Sequence, residues 1–314
     1  MPIRAQSSVE PVGHGHGHGS LADPHWLWAA LAINLGFMAL EVVAGLIAGS
    51  VALISDAAHM LTDAGAIALA IGAARLARRP PTGSFTFGLR RSEILSAQLN
   101  GAALLVLGAL LAFESVRRIA SAPEVEGAVV VVVGLAGAGA NGAAAWALAR
   151  ANRASLNVEG AFLHNLTDLY ASLAAAAAGA VVLLTGFTEA DGIAALTVCG
   201  LMLYAGYGLT RDSSRVLMEA APRGMEPEEI GRALAAEPDV VDVHDLHVWE
   251  VSSGFPALAA HVLVRADEDC HAKRRELATL LGERFGIAHT TLQVDHAPRR
   301  QLLGIEGREP PVTK

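Results

Sequence analysis

Residues Val51–Leu76 read VALISDAAHMLTDAGAIALAIGAARL, an apolar run that carries Asp56, His59 and Asp63 in its first half. A helix needs roughly 20 residues to cross a hydrocarbon core of about 30 Å, and this run has them. Windows of the same kind fall at Trp26–Ala48, Glu93–Ile119, Gly127–Ala149, Ser155–Leu184 and Asp191–Leu209, so six transmembrane helices are predicted. A membrane barrel is excluded, because the runs are too long and lack the alternation of lipid-facing and lumen-facing residues.

Composition points the same way. The chain has 314 residues, 53% of them apolar and 17% charged, and its mean hydropathy is +0.41. That length would otherwise suggest two soluble domains, but so apolar a chain cannot present enough polar surface to water. The apolar mass is Ala, Val, Leu and Gly, with 5% aromatics, which suits close helix packing in lipid. Net charge is −8, and from Ser214 onward 12 Lys or Arg stand against 17 Asp or Glu, a balance of 12 − 17 = −5. Such a region repels nucleic acid and attracts cations. Cys199 and Cys270 form no CxxC and no disulfide framework. No short apolar segment with an AxA-like cleavage site precedes the first span, so no signal peptide is expected.

Arginine sets the orientation. Arg75, Arg78, Arg79, Arg90 and Arg91 flank the second-to-third connection, and Arg150 and Arg153 the fourth-to-fifth. The opposite side has Arg117 and Arg118, offset by Glu124, Glu126, Glu189 and Asp191. By the positive-inside rule both termini lie in the cytoplasm, and the protein is expected in the cytoplasmic membrane. Pro80-Pro81 marks a non-helical connector. After Arg215 the pattern changes to a helix at Pro227–Ala236, alternating runs at Val240–Val251 and Ala257–Val264, a helix at Cys270–Phe285 and a last strand at Thr290–His296. That order, αββαβ, predicts a small ferredoxin-like α+β domain. The fold class is therefore an α-helical membrane protein with six transmembrane helices and a C-terminal cytoplasmic α+β domain. The expected divisions are a disordered His-rich tail at 1–25, a six-helix transmembrane domain at 26–213, a cytoplasmic α+β domain at 214–297 and a flexible tail at 298–314.

Ionisable residues cost about 2.5 to 3.5 kcal/mol each at the centre of a membrane helix, so those inside spans need a reason. Here they repeat a pattern. The second span has His59 and Asp63 in HxxxD, and the fifth has His164 and Asp168 in HxxxD. Residues four apart share a helix face, so two such faces opposed supply two imidazoles and two carboxylates. Four nitrogen and oxygen donors in a tetrahedron suit Zn²⁺, and also Co²⁺ or Cd²⁺, but offer too few oxygens for Ca²⁺ and too much nitrogen for Mg²⁺. A closed tetrahedron is normally structural; near the midplane it suits a transported ion better. Binding needs neutral His and ionised Asp, so metal competes with protons and exchange follows. Asp56, seven residues before Asp63 on the same face, reads either as a proton-relay or ligand-supporting group or as a hydrogen-bonding residue of the helix seam. Asn34 and Glu41, and Asn157 with His164, share the seven-residue spacing and are read as lining the same wet cavity, none of the four as a primary ligand.

At these residues the chain resembles the cation diffusion facilitators, specifically the zinc-exporting branch. The resemblance runs from Trp26 to His296. It rests on Gly49-Ser50-Val51-Ala52-Leu53 with Asp56-Ala57-Ala58-His59-Met60-Leu61-Thr62-Asp63, on Phe87-Gly88 with Arg91-Ser92-Glu93-Ile94-Leu95, on His164-Asn165-Leu166-Thr167-Asp168, and on His244-Asp245-Leu246-His247-Val248-Trp249. It implies a homodimer that moves zinc out in exchange for protons, with His59, Asp63, His164 and Asp168 as the transport site. It also implies a cytoplasmic regulatory zinc site, matched here by His244, His261 and Asp295 and less closely by His271. Relatives with a histidine ligand in the second-to-third loop differ, since Phe87-Gly88-Leu89-Arg90-Arg91 stands there, and that interfacial site is expected to be missing. The fourth-to-fifth loop is also short and has no His.

The His-rich tract lies instead at His14-Gly15-His16-Gly17-His18, where it reads either as weak metal capture or as a dispensable tail. His247, His289 and His296 read as surface or packing residues. Gly134, Ala138 and Gly142 read as a helix-packing stripe. Two other functions fit a membrane zinc site. An intramembrane zinc hydrolase would need a general base, typically in HExxH, and an open coordination position, and the sequence has no HExxH. A zinc-sensing scaffold that moves nothing is not separated from a transporter by sequence.

Overall fold

The computed structural model describes residues 24–48, 51–121, 127–151, 153–187 and 189–298; the His14–His18 tract and the tail from 299 lie outside the described residues, as do the side chains of Glu41, Asp56 and His59. The chain forms two units, Met1–Pro222 with Trp249–Pro256, and Arg223–Val248 with Ala257–Lys314.

The first unit holds helices α1 (Pro24–Ala48), α2 (Val51–Ala77), α3 (Ser92–Ser121), α4 (Gly127–Ala149), α5 (Leu156–Thr185) and α6 (Glu189–Leu217). Among the described residues four stretches are long and apolar enough to cross a membrane, Ser92–Arg117, Gly127–Ala149, Leu156–Thr185 and Gly192–Leu217, and His25–Leu40 is a shorter apolar helix. Polarity runs inside out relative to a water-soluble bundle. Leu110, Phe113, Val132 and Leu184 are exposed, while Asn34, Asp63, Asn141, His164 and Asp168 are buried. Hydrocarbon chains are a good solvent for the first set and a poor one for the second.

Leu27, Ile67, Leu148 and Val158 form a common core of α1, α2, α4 and α5. Leu104, Val198 and Met202 join α3 to α6. The expected stripe on α4 packs as read at Gly134, where a Cβ would come within 2.8 Å of the carbonyl oxygen of Ser172 on α5. Helix α6 continues to Leu217, past the apolar window that ends at Leu209, because its backbone ladder needs only helical geometry and not apolar side chains.

The second unit contains α7 (Pro227–Ala235), most of β1 (Val240–Ser252) and β2 (Phe255–Val264), then α8 (Cys270–Phe285) and β3 (His289–His296). This is the expected αββαβ order, and the sheet order is β1-β2-β3. The short β1–β2 turn has Gly254 at φ 71°, and so tight a link joins antiparallel neighbours. β2 and β3 run parallel, with His261 opposite Gln293 and Leu263 opposite Asp295; α8 supplies the crossover that parallel pairing requires. Leu258, Ala260, Val262 and Val264 are buried along β2, the two-residue period of a sheet with one covered face. Ile230 and Leu234 on α7 and Leu277 and Leu281 on α8 are buried at the four-residue helical period.

Candidate metal centre

Among the described residues, two separate groups of acid and imidazole side chains each bring their ligand atoms within 4.8 Å of one another. The first is Asp63 of α2 with His164 and Asp168 of α5, which are 1%, 2% and 6% exposed. His164 Nε2 lies 2.9 Å from Asp63 Oδ1 and 3.6 Å from Asp168 Oδ2. Two donors bound at about 2.0–2.1 Å to one tetrahedral ion stand about 3.3 Å apart, so both separations are close to what a shared zinc-sized ion requires. Asp63 Oδ2 and His164 Nδ1 have no hydrogen-bond partner among the described residues. Buried polar atoms of that kind are costly unless something binds them. The fourth expected ligand, His59, sits one helical turn before Asp63 on α2, and its side chain lies outside the described residues.

Neighbouring amides hold α5 in place. Asn34 Nδ2 of α1 donates to Asn165 Oδ1 at 3.2 Å, Asn165 Nδ2 donates to the carbonyl of Ala161, and Asn157 Nδ2 donates to the carbonyl of Ala70 on α2 at 2.8 Å. Asn34 and Asn157 thus tie helices together; the expectation that they line a wet cavity is corrected, since both are 0% exposed and bonded to neighbouring helices. Thr167 Oγ1 donates to the carbonyl of His164, and Ser172 Oγ to that of Asp168. Near the helix ends, Ser155 Oγ donates to Glu93 Oε2 at 2.9 Å, a buried link that sequence reading did not anticipate. Asn141 on α4 was missed as well. Its signal was the cost of a lone amide in the run Gly127–Ala149.

The second group is His244, Asp245 and His261. The imidazole rings of His244 and His261 meet edge to face with centroids 5.4 Å apart, and His261 Nδ1 is 3.7 Å from Asp245 Oδ2. Adjacent strand residues normally point to opposite faces. Asp245 escapes that rule through a left-handed backbone, φ 49°, which lets it share a side with His244. Of the other expected cytoplasmic ligands, Asp295 accepts from Gln293 Nε2 at 2.7 Å, and His271 lies in the first turn of α8, its backbone N–H bonded to Asp269. Neither belongs to the close group, where Asp245 stands instead. The nitrogen and oxygen donors of His244, Asp245 and His261 suit a divalent ion of the zinc type.

Residues 27–218 match the cation efflux transmembrane domain, and residues 222–297 match the cation efflux protein, cytoplasmic domain. The chain is 36% identical over 294 residues to the zinc transporter ZitB of Escherichia coli, covering 91% of this chain and 94% of that protein. It is 32% identical over 291 residues to the cadmium, cobalt and zinc/H(+)-K(+) antiporter of Bacillus velezensis, covering 91% and 93%. A solved structure of the metal-bound C-terminal domain of the CzcD transporter from Cupriavidus metallidurans is 31% identical, covering 22% of this chain and 97% of that one, with a TM-score of 0.22. With a buried His-Asp cluster between two apolar helices and both domains matched along its length, the chain belongs to the cation efflux family, the cation diffusion facilitators.

Proposed function

We infer that this protein is a divalent metal efflux antiporter, a transporter and not an enzyme, that carries Zn²⁺ out of the cytoplasm in exchange for protons. The observation that carries the reading is the buried contact between His164 and Asp63 with Asp168 beside them. The hydrogen held between His164 Nε2 and Asp63 Oδ1 occupies the space that an ion bound to both would take. Metal entry therefore displaces a proton, and proton return displaces the metal. His59, Asp63, His164 and Asp168 form the transport site in this reading, and Co²⁺ and Cd²⁺ are further substrates. The similar antiporter named for cadmium, cobalt and zinc supports that choice.

The protein works as a homodimer in a membrane. We read six spans, because α1 and α2, at 25 and 27 residues, are long enough for a core of about 30 Å. Both termini face the cytoplasm of a bacterial-type inner membrane. Supporting this, Arg150 lies 3.8 Å over the Trp146 ring and Arg75 5.0 Å over Trp28, at one end of the bundle, as interfacial anchors do. The tail is a ferredoxin-like domain, and we assign it a regulatory zinc bound by His244 and His261 with Asp245. A hydrolase is disfavoured by the lack of HExxH, and a non-moving scaffold by the relatives' names. The purified protein in sealed vesicles should drive Zn²⁺ and protons in opposite directions. Zinc flux that ignores an imposed pH gradient would reject antiport, and absence of flux would reject transport.

A further inference from the structure

A cavity of about 340 Å³ lies beside the transport cluster, bounded by Met60 of α2, Val130, Gly134 and Asn141 of α4, and Asp168 and Ser172 of α5. It begins at Asp168 and extends toward the N-terminal half of α4 and the C-terminal half of α5. That direction leads away from the short α4–α5 link, which carries Arg150 and Arg153. Under the orientation proposed above, it leads toward the release side.

Asn141 is 4% exposed, and its amide orientation follows from its neighbour. The hydroxyl of Ser172 has one hydrogen and donates it to the Asp168 carbonyl at 2.8 Å. Toward Asn141 it can only accept, and Asn141 Nδ2 stands 3.4 Å from Ser172 Oγ. The amide nitrogen is thereby turned to Ser172. Oδ1 is left without a hydrogen-bond partner among the described residues, on the wall of a cavity whose other lining is largely aliphatic. Asn34 and Asn157 also carry a partnerless Oδ1, but neither lines the cavity that reaches Asp168. A buried amide oxygen with no partner is unfavourable unless a ligand or water completes it.

We propose that Asn141 Oδ1 is a binding group on the release path, taking the divalent cation, with part of its water shell, as it leaves Asp168. This rests on the transport reading and adds a second, weaker station to it. Two carboxylates and two imidazoles bind a divalent ion tightly, and an ion leaves such a site faster when its ligands are replaced one at a time. A neutral amide oxygen suits that step, since it attracts the ion without a charge that would retain it. As a hard donor it assists Zn²⁺ more than the softer Cd²⁺.

The test uses the full-length protein in vesicles, with Zn²⁺ and Cd²⁺ flux measured separately and zinc affinity measured at equilibrium. Asn141→Leu, with the same branched skeleton and no oxygen, should lower kcat for zinc by about tenfold, the scale of one polar contact to a charged group. Cadmium should lose less, and equilibrium zinc affinity should not change. Asn141→Asp, which keeps the shape and adds a charge, should lower KM and kcat together, because it holds the ion at the second station. Unchanged zinc kcat and unchanged zinc-to-cadmium ratio in Asn141→Leu would overturn the proposal. So would a fall in zinc affinity parallel to the fall in kcat, which would make Asn141 part of the scaffold of the first site. If Asn141→Leu does not fold, Asn141→Asp decides, and wild-type KM and kcat in that variant reject the idea. Wild-type vesicles without zinc flux would instead reject the transport reading itself, and this station with it.

Discussion

Nε2 of His164 lies 2.9 Å from Oδ1 of Asp63, an acid 101 residues away on a different helix. Neither side chain is accessible to solvent or lipid to any useful extent. A bare carboxylate in that position is strongly unfavourable, so its charge is answered either by a proton on the imidazole or by a metal ion. In the proposed transport site, Asp63→Ala removes both a ligand and the proton's partner. We expect zinc flux to fall by more than about 100-fold, beyond the loss typical of changing a residue that only orients a ligand. Dimer formation, read by size-exclusion chromatography with light scattering, should persist. Residual flux within tenfold of wild type would count against Asp63 as a ligand.

The cytoplasmic cluster separates two readings of the tail. Motif resemblance points to Asp295, whereas geometry puts Asp245 beside His261 and bonds Asp295 to Gln293. In full-length protein carrying Asp63→Ala to silence the membrane site, Asp245→Ala and His261→Ala should each remove most of the remaining zinc binding in an equilibrium titration. Asp295→Ala should retain it. The reverse ranking would restore the motif assignment.

Much of this was legible in the sequence for one reason: membrane helices and their buried charges carry large energies. An HxxxD pair inside an apolar run is expensive enough that its repetition in α2 and α5 implies a purpose. The element order of the tail followed from the fall in hydropathy after Arg215 and the alternating runs at Val240–Val251 and Ala257–Val264. What stayed hidden depends on single dihedral angles and on which helices are neighbours. Nothing in His244-Asp245 announces a left-handed Asp245, and strand alternation argues against the pair sharing a face. Asn34 and Asn157 looked like cavity residues, because spacing within one helix does not reveal the carbonyl or amide that the next helix presents.

Helix packing gives a controlled comparison within α4. A Cβ at position 134 would meet the Ser172 carbonyl oxygen at 2.8 Å and the Ala176 backbone nitrogen at 2.9 Å, whereas a Cβ at position 139 would meet nothing within 4 Å. Backbone atoms cannot rotate away as a side chain can, so Gly134→Ala must separate α4 from α5. We expect it to destabilise the protein by about 1–3 kcal/mol, the range for overpacking. Gly139→Ala, with open space for its Cβ, should not destabilise the protein and should raise its stability by up to about 1 kcal/mol through the helix preference of Ala. Thermal unfolding in detergent measures both, and equal effects would show that α4 and α5 do not approach so closely.

The start of α8 carries a pH-dependent cap. Asp269 Oδ1 accepts from the backbone N–H groups of His271 at 2.9 Å and Ala272 at 3.1 Å, satisfying two donors that the helix cannot pair itself. These bonds, the one from Ala272 first, hold the Asp269 carboxyl below its ordinary value. A carboxylate whose folded pKa is depressed contributes its stabilisation above the unfolded range, and loses it as pH falls through the folded value. The cap is therefore complete above about pH 5 and fades below the usual aspartate value of about 3.9. Asp269→Ala should loosen the first turn of α8 at neutral pH, seen as faster amide hydrogen exchange at the backbone of His271 and Ala272. Asp269→Ser, which can cap without a charge, should restore most of the protection. The difference between wild type and Asp269→Ala, compared at each pH, should shrink toward pH 3, while that between Asp269→Ser and Asp269→Ala should not. A difference between wild type and Asp269→Ala that persists undiminished in acid would mean that the charged carboxylate is not what holds this turn.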